Sequence, residues 1–147
     1  MAQADTLHLM GEQQNLATFR RLWDAYATGR LWVMLDDLAD DATWTPVGSE
    51  RVYTGHEQIL AWAERVNRRY KSVTVVFGEM WAPAEHCVVS TGRVVMYDGS
   101  GRVTVDTDVG WVFEFGEDGR VSHMTALGSH EATRAFATER SAPLAPG

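Results

Sequence analysis

Residues 16–57 read LATFRRLWDAYATGRLWVMLDDLADDATWTPVGSERVYTGHE, and this stretch decides the fold. Leu16, Phe19, Leu22, Trp23 and Tyr26 recur at steps of three and four, so they share one face of a helix. Gly29 suits its end, where a left-handed residue is usually needed. Leu31, Met34, Leu35 and Leu38 make the inward face of a shorter second helix, which Asp40-Asp41 ends. Residues 42–47 alternate as a strand, in which Pro46 fits only an edge or a bulge. Thr54-Gly55-His56-Glu57 matches a capping box, with Thr54 and Glu57 satisfying the open backbone donors of a third helix. That helix turns Ile59, Trp62, Ala63, Val66 and Tyr70 inward.

Working outward, the C-terminal half reads as strands. Residues 73–81 form one. Residues 87–97 and 102–115 form a hairpin around Asp98-Gly99-Ser100-Gly101. Gly116-Glu117-Asp118-Gly119 turns the chain into a last strand, 121–127. Ser129 caps a final helix running to about Ala137. Helices first and a meandering antiparallel sheet second make the class α+β. The expected organisation is a flexible segment 1–12, one domain 13–138, and a flexible tail 139–147.

This order of elements resembles the SnoaL-like branch of the nuclear-transport-factor-2-like superfamily. It does so across Asp-Asp, the aromatic strand, the irregular loop and Tyr-x-Gly-His-Glu, and on to residue 137. That superfamily includes ketosteroid isomerase, SnoaL-type polyketide cyclases and limonene epoxide hydrolase. The resemblance implies an α+β barrel: a strongly bent antiparallel sheet of four to six strands, wrapped as a cone on three main helices. It also implies a pocket at the mouth of the cone and a homodimer through the outer sheet face.

Composition narrows the partners. The chain has 147 residues, 45% of them hydrophobic, and a net charge of -7. No basic run exceeds Arg68-Arg69-Tyr70-Lys71, so nucleic acid is excluded as an expected partner. No apolar stretch approaches the roughly 18 residues of a membrane span. One cysteine, Cys87, allows no intrachain disulfide, and the N-terminus lacks the pattern of a signal peptide, so a cytoplasmic location is expected. The five histidines lack metal-ligand spacing, and no feature asks for a metal or cofactor. His56 and His130 fall in first turns of helices and are expected to be solvated, and His123 is expected to face away from Met124 and the pocket. Cys87 reads as a small buried hydrophobe.

The chemistry is tested against each relative in turn. ADDATWTPVGSE is similar to the matching stretch of ketosteroid isomerase, where the residue before PVGSE is the aspartate base. Here that residue is Thr45, and the positions of the isomerase's oxyanion-holding tyrosine and protonated aspartate are Leu22 and Trp111. Against limonene epoxide hydrolase, Arg93 matches the arginine, but the flanking acids fall at Val95 and Ala126. The last strand holds no carboxylate for SnoaL-type acid–base work. An acid must therefore come from Asp106 or Asp108 on the strand before it.

These two share a face because strand side chains alternate. A four-residue hairpin turn sets Arg93 opposite Asp106 and Thr91 opposite Asp108. A three-residue turn sends the aspartates to the other face. The resemblance directs both Arg93 and Trp111 to the pocket, and a bulge at Gly110 would let Asp106, Asp108 and Trp111 all face it. The catalytic reading is then Asp106 or Asp108 as acid–base and Arg93 as charge stabiliser, acting by proton transfer on a carbonyl-bearing polyketide or terpenoid as a cyclase or isomerase. The structural alternative is a cross-strand ion pair on the outer face. Trp44, Tyr53, Trp111, Thr45, Thr91 and Met124 are the expected ligand-binding residues. The second functional class is a non-catalytic binding or accessory domain for an apolar ligand in the same pocket.

Overall fold

The computed structural model describes residues 2–27 and 30–141. Gly29, the expected end of the first helix, lies outside the described residues, as do most of the expected tail and the side chains of Tyr26 and Leu31. Helix α1 spans Ala2–Ala27 and so begins inside the segment expected to be flexible. Its added turns are rich in Ala, Leu, Met, Glu and Gln, all good helix formers. Helix α2 (Leu31–Asp37) is followed directly by strand β1 (Leu38–Thr45), which starts four residues before the expected strand. Then come β2 (Tyr53–Thr54), α3 (Gly55–Arg69), β3 (Ser72–Ala84), β4 (Cys87–Tyr97), β5 (Val103–Phe115), β6 (Val121–Leu127) and α4 (His130–Ser141).

The six strands lie in the order β2-β1-β6-β5-β4-β3. The sheet is open and mixed rather than purely antiparallel, because β1 pairs with β6 in parallel. A parallel neighbour needs a long crossover, and everything from α3 to β5 supplies it. The architecture is an α+β cone. One face of the sheet, the inner one, carries α1 and α3. Phe19 packs against Phe113 at 4.6 Å and Phe77 at 5.7 Å between ring centroids, joining α1 to β5 and β3. The outer face carries α4, where Ala137 and Phe136 cover Val89, Val112 and the fully buried Cys87. Burial of this apolar surface is what holds the layers together.

Helix ends differ in detail from the capping-box expectation. Thr54 is the N-cap of α3, but its side chain makes no capping bond. The Thr54 amide donates to Gln58 Oε1 at 2.9 Å, so Gln58 takes the part assigned to Glu57. Gly55 has φ of +85°, a left-handed entry that departs from the geometry a capping box requires. Ser129 does cap α4, accepting from the Ala132 amide at 3.0 Å.

The two helix-start histidines are half-buried and lie within hydrogen-bond reach of backbone carbonyls rather than being fully solvated. β1 slips its register against β6 between Leu38 and Thr43, which releases backbone carbonyls from the ladder. His56 Nε2 lies 3.0 Å from both the Leu38 and Ala39 carbonyls, and Arg120 donates to the Leu38 carbonyl as well. Carbonyls that leave a ladder need such partners. His130 Nε2 lies 2.8 Å from the Gly92 carbonyl and ties α4 to β4. His123 points outward, with Nδ1 2.7 Å from Thr43 Oγ1.

Candidate ligand-binding cavity

The β4–β5 ladder decides which side chains can meet a ligand. Asp98 N–H donates to the Arg102 carbonyl and Gly101 N–H to the Asp98 carbonyl, so three residues, Gly99 to Gly101, form the turn, the shorter of the two expected turns. A one-residue register shift between Met96 and Tyr97 then restores the face that a three-residue turn alone would reverse. The result pairs Arg93 with Asp108 and Val95 with Asp106. Arg93 and both aspartates do share a face, and Arg93 Nε donates to Asp106 at 2.6 Å and Nη1 to Asp108 at 3.4 Å.

That face is the outer one. The ladder runs without a bulge from Gly92–Val109 through Thr91–Gly110 to Cys87–Glu114. Trp111 is therefore turned inward, and Arg93, Asp106 and Asp108 are turned out to solvent. Of the two placements the sequence left open, the catalytic one inside the cone is corrected: Arg93, Asp106 and Asp108 form the cross-strand ion pair on the outer face. Gly110 serves close approach rather than a bulge: a Cβ there would stand 1.8 Å from Thr133 Oγ1 of α4. The Asp106 carboxylate, accepting from Arg93, holds that guanidinium above its ordinary pKa, with a smaller contribution from Asp108.

The inner face encloses a cavity of about 860 Å³, within the range of small-molecule sites. Trp23, Trp44, Trp62 and Trp111 stand around it, with Tyr53 and Tyr70 toward α3. Trp23 meets Trp111 edge-on at 4.9 Å, and Trp44 meets Trp62 edge-on at 5.1 Å. β5 contributes Val105 and Val109, and β4 contributes Val94 and Met96, all from the face opposite the aspartates. The indole N–H of Trp44, a residue only 6% exposed, has no hydrogen-bond partner among the described residues.

Of the expected ligand-binding residues, Trp44, Tyr53 and Trp111 line this cavity. Met124 lies in the apolar layer beside it, with Trp44, Trp62 and Leu22 around a small adjoining space. Thr45 and Thr91 are corrections. Thr45 alternates away from Trp44, and Thr91 is buried on the outer face opposite Gly110, beneath α4. The sequence reading missed Arg65, Arg68 and Arg69, which line the mouth together with Tyr70. Their signal was the spacing Trp62, Arg65, Val66, Arg69, which continues the inward stripe of α3. Arg65 Nη2 donates to the Tyr53 hydroxyl at 3.2 Å, and the guanidinium carbons of Arg51 and Arg65 lie 4.8 and 5.6 Å from the Tyr53 ring centroid. Among the described residues no Asp or Glu lines the cavity, so its walls offer aromatic surface, a few hydrogen-bond donors and positive charge. Among the described residues, no three His, Cys, Asp or Glu side chains gather as metal ligands, and no helix is long and apolar enough to cross a membrane.

A sequence profile described as a SnoaL-like domain matches residues 19–124. No curated protein matches the sequence. Solved structures are similar in fold at low identity. Bal32a, from a soil-derived mobile gene cassette, is 23% identical with a TM-score of 0.69, over 84% of this chain and 95% of its own. TerC, co-crystallised with polyporic acid, is 14% identical with a TM-score of 0.68, over 84% of this chain and 98% of its own. Rv0760c of Mycobacterium tuberculosis, in complex with estradiol-17beta-hemisuccinate, is 12% identical with a TM-score of 0.70, over 80% of this chain and 95% of its own.

Proposed function

The chain belongs to the SnoaL-like domain family, and from that premise we propose that it binds a flat, apolar, ring-bearing small molecule in its cone. One observation carries the reading: a cavity of about 860 Å³ walled by four indoles and lined by no carboxylate among the described residues. Indole faces stack on flat rings and contribute beyond simple burial. Two proteins of the same fold, TerC and Rv0760c, were crystallised with ring compounds, which supports the size and shape of ligand proposed. The reading asks for no metal or cofactor.

The rival reading is a cyclase or isomerase that moves a proton with Asp106 or Asp108. Both carboxylates are on the outer face with Arg93, out of reach of a ligand among the tryptophans, so binding is the better supported of the two. Titration of the protein with steroids, flavonoids and naphthoquinones tests it. Saturable quenching of tryptophan fluorescence, with competition between ligands, is the expected result. No saturable response across these classes overturns the reading. Turnover of a bound compound that vanishes in Asp106→Asn/Asp108→Asn, with binding intact, would restore the rival. We further propose a homodimer through the open part of the outer face and a cytoplasmic location, the latter in keeping with one fully buried thiol.

A further inference from the structure

The cavity's charge is the reverse of the molecule's. The chain has 20 acidic and 13 basic residues, yet the cavity is lined by Arg65, Arg68 and Arg69 and, among the described residues, by no acid. Elsewhere arginines sit against carboxylates: Arg21 on Asp37, Arg93 on Asp106, Arg120 on Asp40 and Arg134 on Glu79. The three at the mouth have no carboxylate partner among the described residues. Arg65 spends one donor on the Tyr53 hydroxyl, and Arg69 lies over the Tyr70 ring at 5.5 Å. All three are exposed at the guanidinium end of an otherwise apolar pocket.

We propose that the cavity selects a ligand bearing one acidic group, its ring system among the indoles and its carboxylate at Arg65, Arg68 and Arg69. This rests on the binding reading above and adds the ligand's charge and orientation to it. The physical case is division of labour. The indoles gain from any flat apolar ring and distinguish little among them. A guanidinium that meets a carboxylate makes paired charge-assisted hydrogen bonds, which fix direction as well as add affinity. Apolar walls beside the mouth displace water and strengthen that attraction. The ligand therefore enters ring first and stops with its acid at the rim.

A plainer account is that Arg68 and Arg69, in the last turn of α3, only complement the helix dipole. That account predicts no preference for an anion and does not involve Arg65, one turn earlier. The two are separated by titrating the full-length protein with 1-pyrenebutyrate and with neutral 1-pyrenebutanol, which share ring and chain. The butyrate is expected to bind about tenfold or more tightly at low salt, the factor of one charge-assisted hydrogen bond. That advantage should shrink as salt rises toward about 0.5 M. In Arg65→Gln/Arg68→Gln/Arg69→Gln it should disappear while the butanol affinity holds, and Arg20→Gln on α1 should keep it. Equal affinities in the parent protein overturn the inference and leave the binding reading standing. A parallel loss of both probes in the triple variant also overturns it, assigning the arginines to the fold. Failure of both probes to bind the parent overturns the binding reading itself.

Discussion

Gly110 shows how one residue type carries two meanings. A lone glycine inside a strand marks either a bulge or a close backbone approach, and only the packing of α4 chooses between them. With the absent Cβ's place 1.8 Å from Thr133 Oγ1 and 2.5 Å from Thr133 Cβ, Gly110→Ala is expected to cost about 2–3 kcal/mol, as overpacking does. Adding Thr133→Ala should recover part of this and not all, because the Thr133 Cβ still crowds the new methyl. Chemical denaturation of the two variants checks it; a loss well under about 1 kcal/mol in the single variant would mean that α4 shifts freely. The same dependence on context sorts the site. Trp44, Tyr53 and Trp111 were legible because large aromatics on alternating strands point to an apolar interior. Thr45 and Thr91 were not, since a hydroxyl satisfies local backbone as readily as a ligand. Arg65, Arg68 and Arg69 were passed over because charges on an amphipathic helix ordinarily face water.

Elements were legible wherever periodicity or a turn signal was strong, as for α3, the β4–β5 hairpin and the last strand, 121–127, found as expected. Their register was not, because it hangs on single residues. The three-residue turn alone would set Arg93 opposite Thr107, and the shift at Met96 and Tyr97 sets it opposite Asp108 instead, on the aspartates' face. No pattern in the strands themselves says which face a helix covers, so the aspartates' exposure followed only from where α1, α3 and α4 pack. The turn itself is organised by Asp98, whose carboxylate accepts from the Ser100 hydroxyl at 2.6 Å, the Ser100 amide at 2.8 Å and the Arg102 amide at 3.1 Å. These bonds, the Ser100 hydroxyl foremost, hold its pKa below the ordinary aspartate value. A folded-state pKa that is lowered contributes stability above the unfolded value and loses it as pH falls through the folded one. Asp98→Ala should therefore lower the melting temperature at neutral pH, and the gap to the parent should close as pH drops below about 3.9. A gap that stays constant across this range would exclude the carboxylate as its source. At the start of α3, Gln58→Ala should cost about 1 kcal/mol and exceed the effect of Glu57→Ala, since Gln58 holds the Thr54 amide. The reverse order would restore the capping box.

For the whole molecule, the sheet separates two jobs. Its inner face is closed by α1 and α3 into the cavity. Its outer face is closed by α4 over Val89 and Val112 but left open over β3, β4 and β5, where Val76 is 54% exposed and Val95, Arg93, Asp106 and Asp108 are neighbours. An apolar residue ringed by fixed charges on an open sheet face suits a partner of the same kind, which the proposed dimer would supply by two-fold symmetry. Val76 lies directly opposite Arg93 in the β3–β4 ladder. Val76→Glu would place opposite charges across that pair, which a sheet accommodates well, while burying a carboxylate in any contact between outer faces. The variant should fold with a melting temperature near the parent's. Sedimentation should find it monomeric where the parent is dimeric. Its affinity for cavity ligands should be unchanged, because Val76 and the tryptophans are on opposite faces. A parent that sediments as a monomer would remove the outer face as a contact. A Val76→Glu protein that stays dimeric would send the interface elsewhere, and one that loses ligand binding would show that the two faces are coupled through the sheet.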